Sequence, residues 1–151
     1  MQDAEPNLAD TINAVTGGWN RAMGLVFRVA TADEVVAELE VSGVHKQPYG
    51  IVHGGVHAGV IEACCSTGAA IFAGRHGRSA VGLENSTAFL RAVRGGKLTA
   101  TAVPLQRGRR AQVWECTVRD EQGRAVSSGR VRLICLEGGE ALAGKEIEVE
   151  G

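Results

Sequence analysis

A long apolar run in the middle of the chain constrains the fold more than any other feature. Residues 53–73 carry a single carboxylate, Glu62, and are otherwise built from apolar, small or weakly polar side chains. A helix that is apolar nearly all round is normally enclosed by other structure. Segments of strand character lie on both sides of the run, so the sequence predicts a sheet wrapped around one buried helix.

The flanking segments predict the rest of the fold. Residues 7–19 place apolar side chains at helical spacing, which indicates a short N-terminal helix. Glycine-rich and polar turns separate six predicted strands, at 24–30, 34–41, 79–90, 96–106, 109–120 and 124–136. The last three strands are expected to form an antiparallel meander. The predicted fold class is therefore α+β, with an antiparallel sheet around one central helix.

The length of 151 residues suits one domain, which we place at residues 1–136. Residues 137–151 are acidic and rich in glycine, and we expect a flexible tail there. A single sheet around one helix leaves a face and both edges uncovered. We therefore expect a homodimer or a tetramer built as a dimer of dimers.

Composition argues against several classes of protein. The formal net charge of −1 does not favour a nucleic-acid partner or an anionic membrane surface. Residues 1–10 lack the basic and apolar regions of a signal peptide, and no run reaches the roughly 20 apolar residues of a membrane span. The cysteines form no CxxC pair, so we expect reduced thiols in a cytoplasmic protein; they are Cys64, Cys65, Cys116 and Cys135.

Glu62 is the first candidate for chemistry. It lies in the middle of the apolar helix, where burying a carboxylate is costly unless the group has a partner or a task. Two interpretations stay open on the pattern alone. Glu62 is either a catalytic carboxylate or one half of an ion pair with Arg91 or Arg94.

Two features on the same helix could complete a site. Ser66 follows Glu62 by four residues and shares its helical face; its hydroxyl either assists chemistry or bonds back to the Glu62 carbonyl. The triplet His53-Gly54-Gly55 opens the helix, where unpaired amides point outward. Those amides either form an oxyanion hole for a ligand carbonyl or belong to a simple Gly-rich helix entry.

Metal binding is not favoured. His53 and His57 are four residues apart, as in a zinc-binding helix, but the glutamate of an HExxH motif is replaced by Gly54. We expect no metal, and we expect His57 to be a core histidine or a surface residue.

A basic turn between two predicted strands is the candidate phosphate site. The turn carries three guanidinium groups within four residues, those of Arg107, Arg109 and Arg110, with Gly108 between the first two. Such a concentration in a chain of nearly neutral charge suits phosphate recognition. A solvated turn is the alternative. Ser128 on the last strand is a possible additional donor.

Several of these motifs together resemble the hotdog-fold thioesterases. The stretch Gln-Pro-Tyr-Gly-Ile-Val-His-Gly-Gly at 47–55 is followed by Glu62 and Ser66, and residues 81–93 resemble the family's next strand. The resemblance covers about residues 20–136. It is closest to the branch that contains phenylacetic-acid-degradation thioesterases and the 4-hydroxybenzoyl-CoA thioesterases with a helix glutamate.

The resemblance implies hydrolysis of an aryl or short-to-medium acyl-CoA to the free acid and CoA. CoA would then be part of the substrate, and no separate cofactor is expected. Glu62 matches the family's nucleophile or general base, and Gly54 matches the residue whose amide polarises the thioester carbonyl. Gln47 matches a side chain that supports the thioester, Ser66 a residue that assists the hydrolytic water, and His53 a residue near the sulfur.

The resemblance also implies active sites at a dimer interface, where Gln47 and Gly54 would serve the Glu62 of the facing chain. Two other functions also fit the sequence. One is a hotdog enoyl-CoA hydratase or dehydratase, with His53 or His57 paired to Glu62. The other is an acyl-CoA-binding module without catalysis.

Overall fold

The computed structural model describes residues 5–147, and its centre is a long helix packed on one six-stranded sheet. Two short helices come first, α1 (Ala9–Val15) and α2 (Gly18–Met23). The central helix α3 spans Gly54–Gly74 and follows a 3-10 turn at Gly43–His45. The sheet strands are β1 (Val26–Ala30), β2 (Val35–Glu40), β3 (Ser79–Phe89), β4 (Lys97–Arg107), β5 (Ala111–Arg119) and β6 (Ala125–Leu136).

The sheet runs in the order β1-β2-β4-β5-β6-β3, and every neighbouring pair is antiparallel. The predicted α+β class, the six strands and the meander of the last three strands are confirmed. Because α3 lies between β2 and β3 in sequence, it carries the chain from one side of the sheet to the far edge. As a result β1 and β3, which are separated by one helix and one strand in sequence, form opposite edges.

Helix α3 packs against β2 to β6, and nine of its 21 residues are buried. By length and composition alone it is long and apolar enough to cross a membrane, so the prediction that no run reaches that length was wrong. The packing accounts for its composition instead. Ile61, Cys64 and Cys65 are fully buried. The Trp114 ring occupies the space beside Gly68, where a Cβ atom would lie 2.4 Å from the indole.

The N-terminal helix is not continuous, and the prediction of one helix over 7–19 was wrong at its C-terminal end. Gly18 has a φ of 55°, in the left-handed region that favours glycine. The chain turns there and starts α2. This turn brings the Trp19 ring onto α3, where it fills the space beside Gly59.

Edge strand β1 is covered by two asparagine side chains. Asn13 donates to the Phe27 carbonyl (2.8 Å) and accepts from the Phe27 amide (2.9 Å). Asn7 donates to the Arg28 carbonyl (2.9 Å) and accepts from the Ala30 amide (2.8 Å). These amide groups make the hydrogen bonds that a neighbouring strand would otherwise make.

Edge strand β3 is open. It pairs with β6 on one side, and no strand within residues 5–147 pairs with its other side. Large apolar side chains on it face solvent, with relative exposures of 59% for Leu83 and 62% for Phe89. An exposed, partly apolar edge is a template for pairing with another chain.

The cysteines are free thiols. Hydrogen bonding to Cys116 and burial raise the pKa of the Cys64 thiol, so it stays protonated. Beyond the sheet, Ala141–Leu142 and Lys145–Glu146 form a short two-stranded hairpin, β7 and β8. No pattern in residues 137–147 predicted this hairpin. The mobility of the tail stays a prediction, and residues 148–151 lie outside the described part.

Candidate active site

Glu62 is held by neutral hydrogen-bond donors. Ser66 Oγ donates to Glu62 Oε1 at 3.1 Å, and Asn85 Nδ2 donates to Glu62 Oε2 at 3.1 Å. Within residues 5–147 Glu62 takes part in no ion pair. Arg94, one of the partners considered for it, donates instead to the Tyr49 carbonyl at 2.9 Å. The ion-pair interpretation of Glu62 is therefore wrong for the described residues.

Gly82 on β3 provides the space that the carboxylate occupies. A Cβ atom at Gly82 would lie 2.4 Å from Glu62 Oε1, closer than atoms can approach. Any larger residue at this position would displace the carboxylate. The opening beside Glu62 is therefore built into the strand, next to a bulge between Gly82 and Glu84.

Ser66 does not bond back to its own helix. Its hydroxyl reaches the Glu62 side chain, whereas the neighbouring Thr67 donates to the Ala63 carbonyl at 2.7 Å. Thr67 thus shows the back-bonding geometry that is usual for a hydroxyl inside a helix. The alternative that Ser66 bonds back to the Glu62 carbonyl is therefore not seen, and its assistance to chemistry stays a prediction.

The N-terminus of α3 has one capped amide and one open amide. His53 Nδ1 accepts from the Gly55 amide at 2.8 Å. For the Gly54 amide no acceptor lies within hydrogen-bond range in the described chain. Because Nδ1 of His53 accepts, its neutral ring carries the proton on Nε2. The helix start therefore offers the Gly54 amide, aided by the helix dipole, to an external oxygen.

A cleft of about 360 Å³ adjoins this helix start. Phe89 forms one wall and lies so close to Gly54 that a Cβ there would be 2.8 Å from the ring. Gln47 also lines the cleft, and its Oε1 accepts from the Tyr49 amide. Arg91 lies at the rim with an exposed side chain.

His57 is a core histidine, as one of the two interpretations held. It is buried, it lines the same cleft from below, and its Nδ1 lies 3.0 Å from Ser127 Oγ on β6. Burial lowers the pKa of His57, because the charged imidazolium is poorly solvated there. Within the described residues no cluster of ligands suits a metal ion.

Glu62 and Gly54 do not converge within one chain. They are eight residues apart on α3, which separates them by about 12 Å along the axis at about 1.5 Å per residue. A single thioester carbonyl therefore cannot contact both groups of the same helix. The structure brings Gly54, Gln47 and His53 together at one end of α3, and Glu62 with Ser66 at its middle.

The basic turn lies toward the other end of α3. Arg107 pairs with Asp33 at 2.6 Å and stacks 4.9 Å from the centre of the Phe72 ring. Phe72 is ten residues past Glu62, about 15 Å along the helix. Arg109 pairs with Glu137 at 3.3 Å.

Two of the three guanidinium groups of this turn therefore already have carboxylate partners. Gly108 closes the turn, because its backbone N–H donates a hydrogen bond to the Ala111 carbonyl at 2.9 Å. Arg110 lines a cleft with Glu137 and Glu140. Ser128 lies on β6, opposite Ala88 of β3. The phosphate-binding role of these residues stays a prediction.

Sequence reasoning missed Asn85. Its side chain is the only amide that contacts Glu62 among the described residues. A polar residue in a strand is common, and nothing in the sequence marks the bulge that sets the phase of β3. The signal that could have found Asn85 is the alternation of side chains along a strand, because it places two polar residues, Asn85 and Thr87, on the same face.

Comparison with known proteins identifies the family. Residues 49–127 match the model of the thioesterase superfamily. The Mycobacterium tuberculosis protein Rv1847 is 40% identical over 125 residues, which cover 82% of this chain and 89% of that protein. Proofreading thioesterase EntH of Cronobacter sakazakii is 33% identical over 128 residues, which cover 84% of this chain and 93% of EntH.

Solved structures agree with this assignment. The thioesterase HI1161 of Haemophilus influenzae superposes with a TM-score of 0.82 at 28% identity, covering 89% of this chain and 94% of that one. The sequence match and the helix wrapped by an antiparallel sheet lead to one conclusion. The chain belongs to the thioesterase superfamily, has the hotdog fold, and is a hydrolase of the thioesterase class.

Proposed function

We propose that the protein hydrolyses an acyl-CoA thioester to a free carboxylic acid and CoA, with Glu62 as the catalytic carboxylate. The observation that carries the proposal is the state of Glu62. Both of its oxygens accept hydrogen bonds from neutral donors, and no cation neutralises it among the described residues. Such a carboxylate retains lone pairs for a water molecule or for attack on a carbonyl carbon.

The chemistry follows from these groups in either of two forms. As a general base, Glu62 takes a proton from water, and the resulting hydroxide attacks the thioester carbon. As a nucleophile, Glu62 attacks that carbon itself and forms an anhydride, which water then hydrolyses. In both forms the carbonyl oxygen becomes negative, an open backbone amide stabilises it, and the CoA thiolate leaves and is protonated.

The open amide is best supplied by a second chain. Gly54 lies about 12 Å along α3 from the Glu62 of its own chain, and the β3 edge beside Glu62 is free to pair. We therefore place the partner's Gly54 and the partner's Gln47 opposite Glu62 in a homodimer. His53 would then reach the sulfur region through its Nε2 proton.

The relatives support this reaction class. EntH carries the name proofreading thioesterase, and HI1161 is described as a thioesterase. The rival hydratase needs a histidine paired with an acid. Neither histidine near the site bonds to Glu62, since His53 accepts from the Gly55 amide and His57 contacts Ser127.

The test is thiol release from a panel of saturated, unsaturated and aryl acyl-CoAs. We expect release from saturated substrates, which a hydratase would leave intact. Glu62→Gln should lower turnover by about 10²–10⁴-fold, the usual contribution of a general base. Glu115→Gln, on the outer face of β5 and paired with Arg130, is the matched control and should keep its activity.

Two results would contradict the proposal. One is wild-type turnover by Glu62→Gln. The other is tight binding of every acyl-CoA in the panel without thiol release, which would identify a binding module.

A further inference from the structure

We propose that Asn85, oriented by Thr87, is a positioning residue that holds the Glu62 carboxylate in its reactive geometry. The inference rests on the proposed role of Glu62 and adds to it a residue on another element. Asn85 belongs to edge strand β3, whereas Glu62 and Ser66 belong to α3.

The Asn85 amide nitrogen makes two contacts on α3. Nδ2 donates to the Ala58 carbonyl at 3.0 Å and to Glu62 Oε2 at 3.1 Å. This nitrogen has two protons, so both are used. The first bond ties the amide to the helix backbone, and the second ties the carboxylate to the amide. Oε2 is therefore held relative to the helix axis itself.

Thr87 fixes which way the amide points. Its Oγ1 donates to Asn85 Oδ1 at 2.6 Å. If the amide were flipped, Oδ1 would face two acceptors, the Ala58 carbonyl and the Glu62 carboxylate, and both bonds would be lost. Thr87 lies two residues along the strand, on the same face. Its hydroxyl occupies space beside Gly129 of β6, where a Cβ atom would lie 2.7 Å away.

Together these contacts restrain a torsion that is otherwise soft. The terminal torsion of a glutamate side chain has a broad distribution without strong wells. Ser66 holds Oε1 and Asn85 holds Oε2, so the plane of the carboxylate is fixed from two sides. Removing Asn85 leaves a single restraint, and the carboxylate can then rotate out of line with its target. Misplacement by about 1 Å can lower a rate by about 100-fold.

The experiment compares variants along the donor chain. Asn85→Leu is expected to lower kcat by about 10- to 100-fold while KM changes by less than about threefold, because geometry and not affinity is affected. Thr87→Val removes only the orienting bond and should lower kcat by about three- to tenfold. Asn85→Gln keeps the donor and should recover part of the loss. Ser86→Ala, on the opposite face of β3, is the control and should match the wild type.

Two further measurements separate the possible failures. Crystal structures of wild type and Asn85→Leu should show an ordered Glu62 carboxylate in the first and a rotated or multiply placed one in the second. Folding and assembly of each variant are checked by circular dichroism and sedimentation. If Asn85→Leu does not assemble, the kcat of Thr87→Val tests the positioning role in its place.

The outcomes that overturn the inference are distinct from those that overturn the proposed function. If folded Asn85→Leu or Thr87→Val has the kcat of the wild type while Glu62→Gln is inactive, the positioning role is refuted and the proposed function stands. A change in KM without a change in kcat also refutes the positioning role. Wild-type turnover in Glu62→Gln removes the function, and an unmoved Glu62 side chain in the Asn85→Leu crystal then removes the positioning role as well.

Discussion

The two edge strands of the sheet differ in whether their outer backbone groups are hydrogen-bonded. At β1, the side chains of Asn7 and Asn13 bond to backbone groups of Arg28, Ala30 and Phe27, as a further strand would. At β3, no strand within residues 5–147 pairs with the outer side of the backbone, and Leu83 is exposed. Exposed edges are hazards that proteins usually block. The open edge lies beside Glu62, which is where the proposed homodimer needs a second chain to pair.

Disrupting the β3 edge should have the largest effect. Leu83→Lys places a charge on the exposed apolar edge, so we expect the proposed dimer to dissociate into folded monomers. Turnover should fall by about 10²–10³-fold, the usual effect of losing an oxyanion donor. Sedimentation and thiol release measure the two effects. Arg28→Ser on β1 is the control and should keep both assembly and activity; an active Leu83→Lys monomer would contradict the two-chain site.

Opening the β1 edge should have an intermediate effect. Asn13→Ala removes two hydrogen bonds and leaves the Phe27 amide and carbonyl without them. We expect the free energy of unfolding to fall by about 1–3 kcal/mol, measured by urea titration. Light scattering should also show slow self-association through the freed edge. Asn13→Asp retains the acceptor oxygen, so its loss should be smaller; equal stability of all three proteins would refute the capping role.

Acidification should have the smallest effect, confined to the β3 side. His57 and Ser127 lie beneath the end of β3, since Ser127 pairs with Phe89. The folded-state pKa of His57 is lowered, so the unfolded chain binds the proton more readily. Stability should therefore be lost as the pH falls below the ordinary histidine value of 6.5.

The change is measured by chemical unfolding at about pH 7.5 and about pH 5.5, and it cannot exceed about 1.4 kcal/mol per pH unit for one proton. His57→Asn should show a flatter dependence. After correction for the pH dependence of intrinsic exchange, amide protection should fall at β3 and not at β1 in the wild type. A uniform loss of protection at both edges would assign the effect to other groups.

Periodicity was sufficient to predict the fold. The apolar run at 53–73 and the alternation in the later strands predicted a central helix and an antiparallel meander, because packing against a core leaves a direct trace in the pattern of apolar residues. The same logic failed at 7–19. The apolar spacing there continued across Gly17-Gly18, but α1 ends at Val15 and the next residue, Thr16, is already extended.

The candidate site was predictable only in part. Glu62 and Ser66 share a helix, so their spacing revealed their proximity. Asn85 lies 23 residues further on, and its contact depends on a strand crossing and a bulge that no local pattern encodes. For the basic turn, the density of arginines predicted a phosphate site that includes Arg107. The sequence does not reveal that Arg107 forms an ion pair with Asp33, 74 residues earlier in the chain.

The two tryptophans that fill the spaces beside glycines provide intrinsic fluorescence from two different parts of the protein. Trp114 is fully buried against Gly68, whereas Trp19 is 41% exposed and lies over Gly59, one helical turn before Glu62. Emission from Trp114 should follow unfolding of the core, and emission from Trp19 should respond to ligands near the carboxylate. With Trp19→Phe and Trp114→Phe, binding and unfolding can be recorded separately, without an added dye.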